Sequence, residues 1–167
     1  MTLKRGFEPV LDERTRVLIL GSLPGDASLG AGQYYGRPTN AFWFLIGRII
    51  DRDLVGLPYP ERLVTLGQRG VGLWDVIASA ERPGSLDAAI RRPEAANLGG
   101  LISTLPNLRA IGFNGGTAAR RGRVILARHP GSVTLIDLPS SSAAHAGKTR
   151  EEKARAWAVL RPFLSGA

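Results

Sequence analysis

Four short apolar runs, each leading straight into turn-forming residues, restrict most strongly how this chain can fold. They read RVLIL at 16–20, GVGLW at 70–74, RAIGF at 109–113 and VTLIDL at 133–138. A run that is apolar at successive positions, rather than at alternate ones, suits a strand buried on both faces of a sheet. Between and after the runs lie stretches whose apolar residues recur at helical spacing, at 41–50, 60–68, 95–105, 117–127 and 150–164. Strand and helix in alternation predict a parallel sheet, because parallel neighbours need a crossover connection long enough to hold a helix. The expected fold is α/β, a three-layer α/β/α sandwich with a central four-stranded parallel sheet. No repeat, low-complexity tract or Ser/Gly linker divides the chain, so one domain over 1–167 is expected.

In such sheets ligands bind beyond the carboxyl ends of the strands, so the residues just after each run are where chemistry belongs. Here they are Gly21-Ser22-Leu23-Pro24-Gly25-Asp26, then Asp75, then Asn114-Gly115-Gly116, then Pro139-Ser140-Ser141-Ser142. Taken singly, each is an ordinary tight turn. Taken together, they predict one small polar pocket at one sheet edge. The first segment is no phosphate-binding loop: it lacks a Walker lysine and the dinucleotide glycine spacing, and Pro24 removes an amide donor. A nucleotide cofactor is therefore not expected.

Composition narrows the chemistry further. The chain has no cysteine, which removes disulfides and thiolate nucleophiles, and its two histidines stand far apart, so no metal site is expected. Apolar runs such as 17–20 and 124–127 are too short to span a bilayer, and no basic-then-apolar leader opens the sequence; a soluble, cytoplasmic protein is expected. Lysine and arginine number 22 against 14 acidic residues, for a net charge of +8. A polyanionic partner follows from that excess. All but Lys4, Lys148 and Lys153 of the basic residues are arginines, whose forked donors suit phosphate oxygens, although a general arginine bias of the proteome produces the same preference.

The segment LGSLPGDASLGAGQYYGRPTNAFW, at 20–43, carries a Gly-x-x-Pro-Gly turn after the first strand, an aromatic residue following it, and a Pro-x-Asn-x-Phe-Trp helix start. Together with GVGLWD at 70–75 and LPSSSA at 138–143, it resembles the uracil-DNA glycosylase superfamily, particularly its hypoxanthine and mismatch-specific branches. The resemblance runs from about residue 17 to 147. It implies a DNA-repair glycosylase that flips a deaminated base into a pocket and cleaves its N-glycosidic bond with no cofactor, acting on uracil first and hypoxanthine next.

The resemblance also distributes roles. Tyr35 aligns with the aromatic that stacks on the flipped base, with Tyr34 a weaker alternative. Asp75 stands where relatives carry a base-reading Asn; as an acceptor it would pair with N3–H of uracil or N1–H of hypoxanthine, and a helix N-cap is its competing role. Gly21, Ser22 and Leu23 line the base, with amides of that turn and hydroxyls of Ser140–Ser142 as donors to the developing negative charge. Leu23 occupies the position that usually holds the water-activating acid and has no proton chemistry. Asn40 is the residue left to orient water, again with an N-cap alternative, and Asp26 is a second candidate. His145 is a candidate donor or wedge in place of the histidine missing at Leu138. Ser140, Ser141, Ser142, Arg37, Lys148 and Arg150 are candidate phosphate contacts. Arg120, Arg121, Arg123 and Arg128 read more simply as a solvated helix face.

No lysine occurs in the four pocket segments, which favours a monofunctional enzyme without a Schiff base, and a monomer is the default state. The loss of acid and histidine at Leu23 and Leu138 leaves open a DNA-binding module without catalysis. A serine hydrolase using Ser140–Ser142 lacks a nucleophile elbow.

Overall fold

The computed structural model describes residues 3–129 and 131–165. The domain expected over 1–167 thus includes five residues, 1, 2, 130, 166 and 167, that lie outside the described residues. In chain order the elements are β1 (Leu3–Arg5), β2 (Val17–Gly21), α1 (Asp26–Ala31), α2 (Phe42–Ile50), α3 (Tyr59–Gln68), β3 (Val71–Asp75), β4 (Ile77–Glu81), β5 (Arg91–Ala95), α4 (Leu98–Ile102), β6 (Ala110–Asn114), α5 (Gly116–Leu126), β7 (Thr134–Leu138), α6 (Arg150–Trp157) and α7 (Arg161–Leu164), with single 3-10 turns at Asp87–Ala89 and Ala158–Leu160.

The central sheet has the order β3-β2-β6-β7 and every pairing is parallel. Strand β2 is central and buried along its whole length, as a continuous apolar run requires. Its alternate residues feed two cores. Val17 and Ile19 join Phe42, Leu45, Ile46, Leu66 and Trp157 under α2, α3 and α6. Leu18 and Leu20 join Leu98, Phe113, Ala118 and Leu126 under α4 and α5. The three-layer α/β/α arrangement is thus as expected, a sheet with helices on both faces.

All four parallel strands stand where the apolar runs predict them, but β2, β3 and β6 each run one residue later. The ladder pairs Gly21 with Asp75, and Asn114 with Leu138, so the first residue after each of those three runs is a last rung of the sheet. Three helices match closely. The stretch at 95–105 does not: Ala95 closes β5, Asn97 caps the short α4 by accepting from the Gly100 amide at 3.1 Å, and Pro106 lies just beyond. The closing helix opens with a Thr149–Glu152 capping box and breaks into α6, a 3-10 turn and α7, where Pro162 supplies no amide.

A second, three-stranded antiparallel sheet in the order β1-β4-β5 was not expected. Strand β4 follows β3 after a single residue, and Val76, Ile77 and Ala80 pack into the second core. The loop between β4 and β5 reaches the carboxyl edge of the central sheet.

Candidate active site

All four turn segments line one pocket of about 760 Å³, inside the roughly 300–1,000 Å³ range of small-molecule sites. Its lining runs from Gly21 to Ser28, through Tyr35, Arg37, Asn40 and Asp75, to Asn114–Thr117, Ser140–Ser142 and His145.

Asp75 ends β3 and is only 5% exposed. A Cβ at Gly21 would lie 2.7 Å from Asp75 Oδ1 and 2.9 Å from the Tyr35 hydroxyl oxygen, so glycine is what lets both groups sit there. Asp75 Oδ2 is buried and accepts no hydrogen bond among the described residues. Burial, reinforced by the charge of Asp87 and opposed by that of Arg82, pushes its carboxyl up to about 7. The chain passes directly from Asp75 into β4, so the alternative role as a helix N-cap does not apply.

Tyr35 has a left-handed backbone, φ 53°, uncommon for a residue with a side chain. Its ring stacks on Phe42 with centroids 4.0 Å apart and planes 18° apart. One face expected to be offered to a base is therefore occupied by protein. The Tyr35 hydroxyl is buried with no hydrogen-bond partner among the described residues, and burial together with the Asp75 charge raises its pKa, keeping the proton in place. Tyr34, the weaker stacking alternative, reaches the pocket lining but is packed in the core: it is 3% exposed, donates its hydroxyl to the Glu8 carbonyl at 2.8 Å, and its backbone carbonyl accepts the Trp43 indole N–H at 3.1 Å.

On the wall formed by the first turn, Leu23 is 6% exposed and packs into the second core, leaving that wall apolar where an acid would otherwise act. The Ser22 hydroxyl donates to Asp87 Oδ1 at 2.7 Å. The amides of Ser22 and Leu23 donate to no acceptor among the described residues and remain available to a ligand. Asp26 stands at the rim, half exposed, with its carboxylate in an ion pair to Lys4 at 2.5 Å; its charge is already matched.

On the opposite wall, Asn114 and Ser141 exchange hydrogen bonds, and the Ala41 amide donates to the Ser141 carbonyl at 2.9 Å. Asn40 Oδ1 accepts the Phe42 amide at 2.9 Å, while its carboxamide nitrogen has no protein acceptor among the described residues. The N-cap of α2 is Ala41, so the capping role expected of Asn40 falls one residue later, and the Asn40 side chain instead closes a local turn onto the Phe42 amide while lining the pocket. Ser141 is 1% exposed with its hydroxyl oxygen on Asn114, so its side chain fixes the loop and does not face a phosphate. Ser140 and Ser142 are partly exposed and line the mouth. Lys153 is buried and donates to the Ser142 carbonyl at 3.2 Å, and the Trp157 indole donates to the Pro139 carbonyl at 2.9 Å; both tie this loop to α6.

Arg37 and His145 are exposed at the rim, and Arg120, first read with its neighbours as a solvated face, joins them. Lys148 is exposed but outside the pocket lining, and the Arg150 guanidinium lies 4.0 Å over the Phe44 ring. Sequence reasoning missed Arg82, Ser85 and Asp87, which the β4–β5 loop brings to the site. Part of the signal was present: Ala78-Ser79-Ala80-Glu81 alternates apolar and polar residues soon after Asp75, and Pro83-Gly84-Ser85 is turn chemistry.

The model of the uracil DNA glycosylase superfamily matches residues 8–161. The chain belongs to that superfamily. A hypoxanthine DNA glycosylase of Methanosarcina acetivorans is 42% identical over 159 residues, covering 95% of this chain and 99% of the relative. Another protein of that description, from Methanosarcina barkeri, is 44% identical over 140 residues, covering 84% and 87%. A solution NMR structure of a Methanosarcina acetivorans protein, provisionally described as a uracil DNA glycosylase, superposes with a TM-score of 0.84 at 40% identity, covering 97% of this chain and 99% of that one. As a superfamily member the protein is a DNA glycosylase, a hydrolase of DNA repair, and DNA is the polyanion its charge anticipates. No helix among the described residues is long and apolar enough to cross a membrane.

Proposed function

We propose that the protein is a monofunctional glycosylase that flips hypoxanthine from DNA into this pocket and hydrolyses its N-glycosidic bond, leaving an abasic site. The observation that carries the reading is the buried carboxyl of Asp75 in the pocket lining, whose Oδ2 has no hydrogen-bond partner among the described residues. Hypoxanthine presents N1–H beside C6=O, whereas adenine presents a lone pair at N1. A carboxylate accepts the first and repels the second. Uracil offers the same edge through N3–H, and the sequence alone placed it first. Relatives described as hypoxanthine DNA glycosylases, at 42% and 44% identity, move the weight to hypoxanthine. Guanine shares N1–H and C6=O, so its rejection falls to the space around its 2-amino group.

As the bond breaks, positive charge grows on the sugar and negative charge on the base. The amides of Ser22 and Leu23, which donate to no acceptor among the described residues, meet the latter. Asn40, with its oxygen held by the Phe42 amide, orients water through its remaining lone pair and its NH₂ group and abstracts no proton. None of the residues lining the pocket is a lysine, which favours direct hydrolysis over a Schiff base. His145 at the rim fills the stack vacated by the flipped base. Arg37, Lys148, Arg150, Ser140 and Ser142 hold the flanking phosphates.

The test is single-turnover cleavage of oligonucleotides carrying one hypoxanthine, uracil, adenine or guanine, with alkali to reveal abasic sites. Breaks at hypoxanthine that disappear in Asp75→Ala and Asn40→Ala are expected. Breaks confined to uracil would overturn the substrate, and breaks at guanine would overturn the account of its rejection.

A further inference from the structure

The most deeply buried cationic side chain among the described residues lies behind the pocket. Arg82, on the loop side of β4, has a side chain that is 0% exposed. Such a charge is tolerated only where donors and neighbouring charges answer it. Its Nη2 donates to the Pro24 carbonyl at 2.5 Å and its Nε to the Gly84 carbonyl at 3.1 Å. Its Nη1 makes no hydrogen bond among the described residues and lies 3.7 Å from Asp87 Oδ1, the oxygen that also accepts the Ser22 hydroxyl. One guanidinium therefore joins the first turn, through Pro24 and indirectly through Ser22, to the β4–β5 loop.

We propose that Arg82 is a positioning residue of the active site, which fixes the Gly21–Asp26 turn through the Pro24 carbonyl and so sets where the Ser22 and Leu23 amides stand. The proposal rests on the reading given above, in which those amides meet the negative charge that develops on the departing base. The guanidinium spans the Pro24 carbonyl of the first turn and the Gly84 carbonyl of the β4–β5 loop. Asp87, which faces Nη1, also holds the Ser22 hydroxyl. The Ser85 hydroxyl accepts the Asp26 amide at 2.9 Å, so the far end of the turn has its own anchor and the Pro24 end depends on Arg82.

The decisive measurement pairs nitrogen-15 NMR of the Ser22 and Leu23 amides in the free protein with single-turnover cleavage of hypoxanthine-containing DNA, in wild type, Arg82→Lys and Arg82→Met, with DNA affinity measured separately. Arg82→Lys retains the charge but not the fork, so it should shift both amide resonances and lower the rate at saturating DNA roughly 10-fold or more, through the displaced turn, while affinity for undamaged DNA changes little. Arg82→Met should show the same changes to a larger extent. Wild-type cleavage in Arg82→Lys would overturn the proposal, and so would unmoved amide resonances. The amide shifts do not depend on which base is released, so a failure of the hypoxanthine reading shows separately, as absent cleavage of that substrate by wild type. Should Arg82→Met not fold, Arg82→Lys still decides.

Discussion

Asn114 at the end of β6 and Ser141 after β7 exchange two hydrogen bonds of 2.9 Å, the Asn amide donating to the Ser hydroxyl oxygen and the Ser amide donating to the Asn carbonyl oxygen. Neighbouring strand ends are thereby locked where the sheet ladder stops. The same Ser141 receives the Ala41 amide on its carbonyl, so the Asn40–Ala41 segment takes its position from this pair. A hydrolytic site that relies on Asn40 to orient water inherits its geometry from Asn114.

Asn114→Ala should therefore cost more than one hydrogen bond. Removing it leaves a buried Ser141 amide and hydroxyl without partners, a penalty of about 2–3 kcal/mol, and loosens the segment carrying Asn40. Denaturant unfolding reads the first effect. Single-turnover cleavage reads the second as a fall in rate at saturating DNA. An unfolding midpoint equal to wild type would show that the pair bears no load.

Gly21→Ala is expected to damage function more than folding. The new methyl would fall 2.7 Å from Asp75 Oδ1 and 2.9 Å from the Tyr35 hydroxyl, and one of them must move. A displacement on the scale of 1 Å at such a site lowers rates by about 100-fold, while overpacking costs about 1–3 kcal/mol. Gly30→Ala is the control, since a Cβ there meets nothing within 4 Å. Equal activity of the two variants would refute the steric account of the floor.

The sheet was legible because a strand buried on both faces must be apolar at every position, and β2 is. The pocket was legible because parallel strands end on one edge, so four polar turns in sequence become neighbours in space. Less legible was whatever depends on pairing between distant segments. Strand β5, RRPEA, has no apolar run to announce it, because it is the largely exposed edge of a small sheet; its existence follows from β4 needing a partner. Asp75 was ambiguous for a related reason: an Asp after a strand caps a helix or ends at a site, and only the onset of β4 in place of a helix separates the two. Ser141 and Ser140 look alike in sequence, yet one is sealed beneath Asn114 and the other opens on the mouth, a distinction set by the Ala41 contact from another part of the chain.

The rim arginine has a different signature from the floor. Arg37 is exposed, lines the pocket mouth and forms no ion pair among the described residues. Arg37→Ala should weaken binding to DNA with and without hypoxanthine by similar factors and reduce the slope of log affinity against log salt by about 1. Fluorescence anisotropy across a salt series measures both. A loss restricted to hypoxanthine-containing DNA would assign Arg37 to base recognition in place of phosphate contact.

Asp75 makes stability and activity move in opposite directions with pH. Its folded carboxyl titrates at about 7 against 3.8 for the free group, so between those values the folded state holds a proton that the unfolded chain has released. Stability then falls as pH rises through that window and levels off above it, by an amount on the order of 4 kcal/mol for the full shift. Asp75→Asn, which carries no charge to desolvate, should match wild type in urea unfolding near pH 4 and exceed it increasingly toward pH 8. Cleavage of hypoxanthine-containing DNA runs the other way, because the base N–H needs an ionised acceptor: the wild-type single-turnover rate should rise through about pH 7, while Asp75→Asn stays low throughout. The neutral amide has an oxygen that can still accept N1–H, but it lacks the charge that rejects the lone pair of adenine, so the ratio of cleavage at hypoxanthine to cleavage at adenine should fall in the variant. A wild-type rate independent of pH between 5 and 9, with unfolding curves of wild type and variant that stay parallel, would show that the carboxyl at the pocket floor is not the acceptor on which recognition turns.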